Sequence, residues 1–221
     1  MTRVDIKRDL DALNKQIAAA NRALFKSAGL YVINLMGSPG SGKTTLLENI
    51  LPRLQDHVRT AVIEGDLATE NDALRIRKTG VTALQINTNG GCHLDARMIE
   101  NQLSRLDLAA LDLLIIENVG NLVCPASFDL GEDLRMVLLS VPEGADKPVK
   151  YPTAFLNAQA VAITKTDLLP YLNVDLDEMK RYMAEINPKL VVFETALKGG
   201  VYEAERLVAY ILEQVRQKKG K

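Results

Sequence analysis

Apolar residues return at intervals of three and four through Leu10, Leu13, Ile17, Ala20 and Leu24, so the chain from about 5 to 27 reads as an amphipathic helix ended by Gly29. The pattern then changes. Leu30 to Met36 is a short apolar run that meets a glycine-rich turn and a helical stretch from Lys43 to about Gln55, the order strand, loop, helix. Further strands are predicted at Thr60 to Glu64, Ala83 to Ile86, Asp112 to Glu117, Leu134 to Val141, Ala160 to Thr164 and Leu190 to Glu194. Helices are predicted between them, near Asn71 to Thr79, Leu94 to Leu106, Leu176 to Ile186 and Val201 to Lys218. Val-, Ile- and Leu-rich runs with little polar alternation suit strands covered on both faces. The expected fold is therefore α/β, a mostly parallel central sheet with helices on both faces, preceded by an N-terminal helix over 1–28. The segment Pro142 to Pro152, rich in Pro, Gly, Lys and Glu, is expected to be flexible, and the Lys-rich C-terminus to fray.

Composition narrows the classes without choosing among them. With 221 residues the chain fits one domain plus an appended element, here the helix and a domain over 29–221. A formal charge of -1 gives no global drive towards nucleic acid or a membrane surface. The longest apolar runs fall far short of a membrane span. Arg3, Asp5, Lys7, Arg8 and Asp9 near Met1 break up any signal-peptide core, so a cytoplasmic location is expected, with Cys92 and Cys124 as reduced thiols.

The glycine turn carries the first chemistry. Gly37-Ser38-Pro39-Gly40-Ser41-Gly42-Lys43-Thr44 satisfies the phosphate-loop pattern G-x-x-x-x-G-K-[ST] between a strand and a helix, the context that pattern requires, and Thr45 follows it. Backbone N–H groups and the helix dipole cradle phosphate oxygens, Lys43 reaches the β- and γ-phosphates, and the Thr44 hydroxyl is a ligand for Mg²⁺. Mg²⁺ calls for carboxylates at neighbouring strand ends. Asp66 and Glu117 are available, each as a Mg²⁺ ligand or as the group orienting the attacking water, and Gly120 follows Glu117 as a γ-phosphate-sensing glycine. Lys43, Asp66 and Glu117 are the catalytic candidates.

Thr164-Lys165-Thr166-Asp167 follows a late apolar strand, where P-loop GTPases carry N-K-x-D. The Asp carboxylate accepts two hydrogen bonds that guanine offers and adenine does not. Thr164 stands where Asn is usual, and Thr195 with Ala196 occupies the position of a second base-contacting loop. Gly90-Gly91-Cys92-His93 precedes a helix, and Cys124-Pro125 follows the switch-like run from Glu117. Two thiolates and an imidazole make a soft donor set suited to Ni²⁺ or Zn²⁺. Spacing alone leaves open that these cysteines only pack. A metal there would be linked to the nucleotide state, because Cys124 follows Glu117 on a loop expected to move with the γ-phosphate.

Taken together these residues resemble the HypB family, GTPases of the SIMIBI branch of P-loop NTPases that insert nickel into hydrogenase. The marks are Gly37 to Thr44, Glu64-Gly65-Asp66 with Ala68-Thr69-Glu70-Asn71-Asp72-Ala73, Gly91-Cys92-His93-Leu94, Glu117 to Pro125, Lys150-Tyr151-Pro152, and Lys165-x-Asp167 with Leu168-Leu169-Pro170-Tyr171. The resemblance implies slow hydrolysis of GTP to GDP with Mg²⁺, and Ni²⁺ or Zn²⁺ held by Cys92, His93 and Cys124 at a GTP-dependent homodimer interface. It also implies as partners a HypA-type nickel chaperone, docked through the N-terminal helix, and the hydrogenase large subunit. The cysteine-rich or histidine-rich N-terminal nickel tracts of some relatives are not seen in this sequence, which leaves that triad as its visible metal site. The alternatives are a urease-type nickel GTPase, whose metal motif is Cys-Pro-His, a P-loop small-molecule kinase, and a metal-storage protein indifferent to its nucleotide.

Overall fold

Runs of β-branched and leucine residues become strands here because the chain buries both of their faces, which leaves ladder hydrogen bonding as the way to satisfy the backbone. The computed structural model describes residues 3–68 and 70–220, with side chains from Asp9 onward. Met1, Thr69 and Lys221, and the side chains of Arg3, Asp5, Lys7 and Arg8, lie outside that description. The chain runs α1 (Arg3–Ser27), β1 (Tyr31–Gly37), α2 (Lys43–Gln55), β2 (Thr60–Asp66), α3 (Asn71–Arg77), β3 (Thr82–Asn87), α4 (Ala96–Leu103), β4 (Leu113–Glu117) and β5 (Leu134–Ser140). It continues through α5 (Lys147–Lys150), α6 (Pro152–Leu156), β6 (Ala160–Thr164), α7 (Leu176–Ile186), β7 (Val191–Glu194), β8 (Ala196–Lys198), β9 (Val201–Glu203) and α8 (Glu205–Lys219). Seven strands form one sheet in the order β3-β2-β4-β1-β5-β6-β7, and every neighbouring pair in it is parallel. One face packs on α2 and α8 through Leu46, Leu47, Ile50, Leu207 and Ile211. The other packs on α1 and α4 through Phe25 and Ile99, and on α6 and α7 through Phe155, Met179 and Met183. The carboxyl ends of β1, β2, β4 and β6 carry the phosphate loop, Asp66, Glu117 and Lys165, so one edge of the sheet collects the candidate chemistry.

Four expectations need correction. The packed face of α1 shares only Ile17 with the predicted apolar stripe, for Leu10, Leu13, Ala20 and Leu24 are exposed while Ile17, Ala18, Asn21 and Phe25 are buried. Asn21 donates to the carbonyls of Ala96 (2.9 Å) and Leu130 (3.3 Å), and Asn14 donates to Asp129 O and accepts from Ala96 N. Side-chain amides therefore satisfy loop backbone that an aliphatic face leaves unpaired, which turns the contact face away from the leucines. Pro142 to Pro152 is built rather than loose: Glu143 accepts from Ser140 N and Oγ at 2.9 Å in a capping box, and Pro148 is buried.

The helix predicted from Val201 begins at Glu205, because Val201–Glu203 pairs antiparallel with Ala196–Lys198 around Gly199-Gly200. Both glycines have positive φ, 57° and 81°, the backbone of a tight hairpin, and Gly-Gly between short apolar runs is the sequence signal for it. The C-terminal lysines are held, not frayed. Lys218 pairs with Asp133 at 2.5 Å and Lys219 with Asp112.

Asp112 also accepts from Arg59 N at 2.7 Å and from its guanidinium at 3.0 Å, contacts that hold its carboxyl far below the usual carboxylate range. Its contribution to stability is present above the ordinary carboxylate pKa and is lost as pH falls through the lowered one. Asp112→Asn is expected to cost about 1–2 kcal/mol at neutral pH and to shrink towards nothing in strong acid. Urea titrations at neutral and low pH check this, and an equal loss at both assigns the effect to packing.

Candidate nucleotide and metal site

The phosphate loop joins β1 to α2 in a form only glycine permits at its end. Gly42, the residue before Lys43, sits at φ 93°, a conformation that side chains with a Cβ strongly disfavour. Gly120 closes against it, for a Cβ there would lie 3.1 Å from Pro39 Cα. Between them opens a cleft of about 370 Å³ lined by Pro39, Gly40, Gly42, Lys43, Thr44, Thr45, Glu64, Asp66, Asp72, Arg75, Glu117, Gly120 and Lys165, among others. Lys43 Nζ donates to the carbonyls of Gly37 (3.3 Å) and Ser38 (3.4 Å), which leaves its ammonium in the loop's own curl. Burial pulls its pKa down and the Glu117 charge pushes it back. Thr44 Oγ1 donates to Glu117 Oε1 at 2.8 Å, joining the end of β4 to the start of α2.

Burial raises Glu117, at the end of β4, to about 7, opposed by Lys43 and Thr44, and its ladder neighbour Glu64 in β2 to about 8, reinforced by the Glu117 charge. Asp66 Oδ1 accepts from Leu67 N at 2.5 Å, while Asp66 O accepts from Thr88 N and from Thr88 Oγ1.

The β6 loop is fastened to the same place. Lys165 adopts φ 59°, an uncommon value for a non-glycine residue, and its Nζ donates to Gly40 O at 2.7 Å. The buried Thr164 hydroxyl donates to Ser41 O at 2.7 Å and so braces the phosphate loop from below. Asp167 Oδ1 accepts from Leu197 N at 3.0 Å, and Thr166 N and Oγ1 donate to Thr195 O. Thr195 is buried with its hydroxyl directed at Ile163 O and Tyr202, and Ala196 is buried beside it. Gly37, Ser38 and Ser41 form the base of the loop rather than the cleft wall, and Ser41 is fully buried.

Sequence reasoning gives no site role to Glu64, Asp72 or Arg75, although Glu64 and Asp72 stand among the marks of the family resemblance. Glu64 reads there as the last residue of a strand, where period and hydropathy mark only a break in the pattern. Asp72 and Arg75 had a signal, an acidic and a basic residue three apart at a helix start. Arg75 reaches Glu48 at 2.5 Å, Asp72 at 3.0 Å and Thr45 at 3.1 Å on the cleft rim.

Cys92 and His93, neighbours in the chain, meet the distant Cys124 in space, with the donor atoms of all three within 4.8 Å of one another. Cys92 Sγ lies 3.6 Å from His93 Nδ1. The hydrogen bond with Cys124 raises the Cys92 thiol, and desolvation lowers the His93 imidazole, whose ring stacks on Phe128 at 3.8 Å. Thiol, thiol and imidazole at this spacing suit a borderline or soft divalent metal, with room for a further ligand because Cys92 is exposed.

Nucleotide cleft and thiol cluster are bridged by the segment after β4. Asn118, fully buried, accepts from Leu94 N at 3.1 Å, and Asn121 donates to Cys92 O at 3.3 Å while forming an antiparallel bridge with Gly37.

The family described as CobW/HypB/UreG, nucleotide-binding domain, matches residues 31–194. The chain is 50% identical over 197 residues to hydrogenase maturation factor HypB of Escherichia coli strain K12, which covers 89% of this chain and 68% of that protein. It is 45% identical over 221 residues to hydrogenase/urease maturation factor HypB of Helicobacter pylori strain J99, covering 96% of this chain and 90% of that one. Its fold matches the crystal structure of HypB from Helicobacter pylori in complex with nickel at TM-score 0.84 and 43% identity, over 93% of this chain and 96% of the other.

Proposed function

Since the chain belongs to the HypB family of hydrogenase maturation factors, within the CobW/HypB/UreG nucleotide-binding group, we propose that it is a GTP-hydrolysing metallochaperone. It carries Ni²⁺ as cargo for a [NiFe]-hydrogenase and releases it according to the nucleotide it holds. The observation that carries this reading is the bridge from Glu117 to Cys124. That segment touches the phosphate loop through Asn121 and Gly120, touches the Cys92 loop through Asn118 and Asn121, and itself bears Cys124. Any shift of it on γ-phosphate loss changes the spacing of Cys124 from Cys92 and His93, so a change at one site is felt at the other.

In the nucleotide cleft, Lys43 and the backbone N–H groups of the phosphate loop neutralise charge on the transferred phosphoryl group. The donor set fits Mg²⁺: hard oxygens from Thr44 and Glu117, Asp66 close by, and buried Oε2 atoms of Glu64 and Glu117 without a hydrogen-bond partner. Mg²⁺ bound there with the nucleotide supplies a Lewis acid on the phosphate oxygens. Asp66 or Glu117 orients the attacking water. Arg75 is turned towards Glu48 and Asp72, which agrees with slow hydrolysis.

Guanine is read by Asp167, fixed through Leu197 N, with the Lys165 stem over the base and Thr195-Ala196 alongside. Asp167→Asn is expected to weaken the preference for GTP over ATP by about 1–3 kcal/mol, the cost of an unpaired buried group. Competition between labelled GDP and both triphosphates checks it, and an unaltered preference rejects the assignment.

Two copies are proposed to meet across the exposed Cys92 and Val123 surface when GTP is bound, with Ni²⁺ or Zn²⁺ between them. A groove of about 430 Å³ runs from Leu10, Leu13 and Ile17 of α1 to His93 and Phe128, which supports docking of a HypA-type chaperone beside the metal donors. The hydrogenase large subunit is the proposed recipient. The urease-type reading stays adjacent, since the Helicobacter pylori relative is described as a factor for both enzymes.

Anaerobic Ni²⁺ titration of the thiolate charge-transfer band, once with a non-hydrolysable GTP analogue and once with GDP, tests the proposal. Curves that differ in affinity or stoichiometry support it, whereas identical curves favour nucleotide-indifferent storage.

A further inference from the structure

Glu64 has no structural task in the sheet. It sits in β2 at 2% exposure, opposite Glu117 in the parallel register with β4, so two carboxylates are side by side in a buried layer. Its Oε2 is buried without a hydrogen-bond partner, as is Oε2 of Glu117. Lys43 does not resolve this, since its Nζ is hydrogen bonded to the Gly37 and Ser38 carbonyls and not to either glutamate. Leaving such a group unpaired costs about 1–3 kcal/mol or more, and an aliphatic side chain at position 64 would fill the strand without that cost. The carboxyl lines the nucleotide cleft together with Lys43 and Thr44. A hard cation that keeps part of its water shell is what satisfies unpaired carboxylate oxygens at the edge of a phosphate site.

We propose that Glu64 is a positioning residue for the nucleotide-bound divalent cation, holding its coordinated water and thereby adding a second buried carboxylate to the Thr44–Glu117 pair. This rests on the reading of the cleft as a Mg²⁺-nucleotide site. Glu64 shares the ladder with Glu117 and stands two residues before Asp66, so it would face a bound cation from β2 while Glu117 would face it from β4. Removal of its charge loosens the cation without touching any group that contacts the nucleotide base.

The test uses the full chain with a fluorescent GDP and follows nucleotide retention against Mg²⁺ concentration. Glu64→Gln is expected to raise the Mg²⁺ half-saturation by about 10-fold, the lower end of what loss of an outer coordination partner costs. Its melting temperature in EDTA is expected to match or exceed that of the wild type, because a buried carboxyl without a hydrogen-bond partner on its Oε2 has been replaced by an amide of the same size. Glu64→Asp, which restores a carboxylate one methylene shorter, is expected to fall between the two, and it carries the test should Glu64→Gln fail to fold. An unchanged Mg²⁺ half-saturation in the folded variants overturns the inference, as does a lower melting temperature in EDTA with unchanged half-saturation, which marks Glu64 as structural. If wild-type retention of GDP is itself independent of Mg²⁺, it is the reading of the cleft that falls.

Discussion

Cys124→Ala is expected to lower Ni²⁺ affinity by more than the roughly 10–100-fold that loss of an outer-shell partner costs, because it deletes a donor atom itself. The thiolate charge-transfer band should weaken with it. Cys92→Ala should do the same, since its sulfur, the Cys124 sulfur and the His93 ring nitrogens are drawn together from two loops and no fourth His, Cys, Asp or Glu joins them among the described residues. Nucleotide affinity should stay within a few-fold in both, because neither thiol lines the phosphate cleft. Isothermal titration of Ni²⁺ and of GDP into each variant separates the two effects. Unchanged Ni²⁺ affinity in both would reject the metal assignment, and a parallel collapse of GDP binding would show that the mutations damage the fold instead.

Lys43→Ala is expected to remove measurable nucleotide binding and hydrolysis. Its ammonium is held by the phosphate loop's own carbonyls, in the cleft proposed for the β- and γ-phosphate oxygens, and each charge-assisted contact of this kind is worth about 1.5–3 kcal/mol. Two such contacts amount to a loss of more than about 100-fold in affinity by the tenfold-per-1.4 kcal/mol relation. The variant also leaves Glu117 and Glu64 without their nearest cation, so both should hold their protons more firmly. Fluorescent-GDP binding and phosphate release provide the readout. Hydrolysis retained at a substantial rate would disprove the phosphate assignment.

The two experiments probe opposite ends of one segment. Glu117 meets Thr44 at the phosphate end and Cys124 meets Cys92 at the metal end, with Asn118 and Asn121 hydrogen bonded to the Cys92–Leu94 backbone between them. A double variant of Asn118 and Asn121 therefore bears on coupling, whereas the single-site variants bear on occupancy.

Much of this protein is written locally. The strand, loop and helix around Gly37 to Lys43 follow from an apolar run, a glycine pattern and a helix period in adjacent residues, and β6 and α7 fall at their predicted limits for the same reason. The donor types for phosphate, Mg²⁺ and a soft metal are likewise fixed by residue chemistry, whatever the fold. Family membership was legible too, because the run from Glu117 to Pro125 is contiguous.

What tertiary structure decided depends on partners distant in the chain. The face of α1 that packs is chosen by the carbonyl of Ala96 at the start of α4 and by those of Asp129 and Leu130 before β5, which periodicity within the helix does not register. The order of Pro142 to Pro152 and the fixing of Lys218 and Lys219 come from Glu143, Asp133 and Asp112. Glu64 gains its meaning only when β2 lies beside β4 and sets it against Glu117. Sequence by itself determined which groups are present and which local elements carry them. Only the parallel sheet, by bringing the carboxyl ends of β1, β2, β4 and β6 to one edge, decided which of those groups share a cleft, since strand neighbours are set by long-range packing and not by order along the chain.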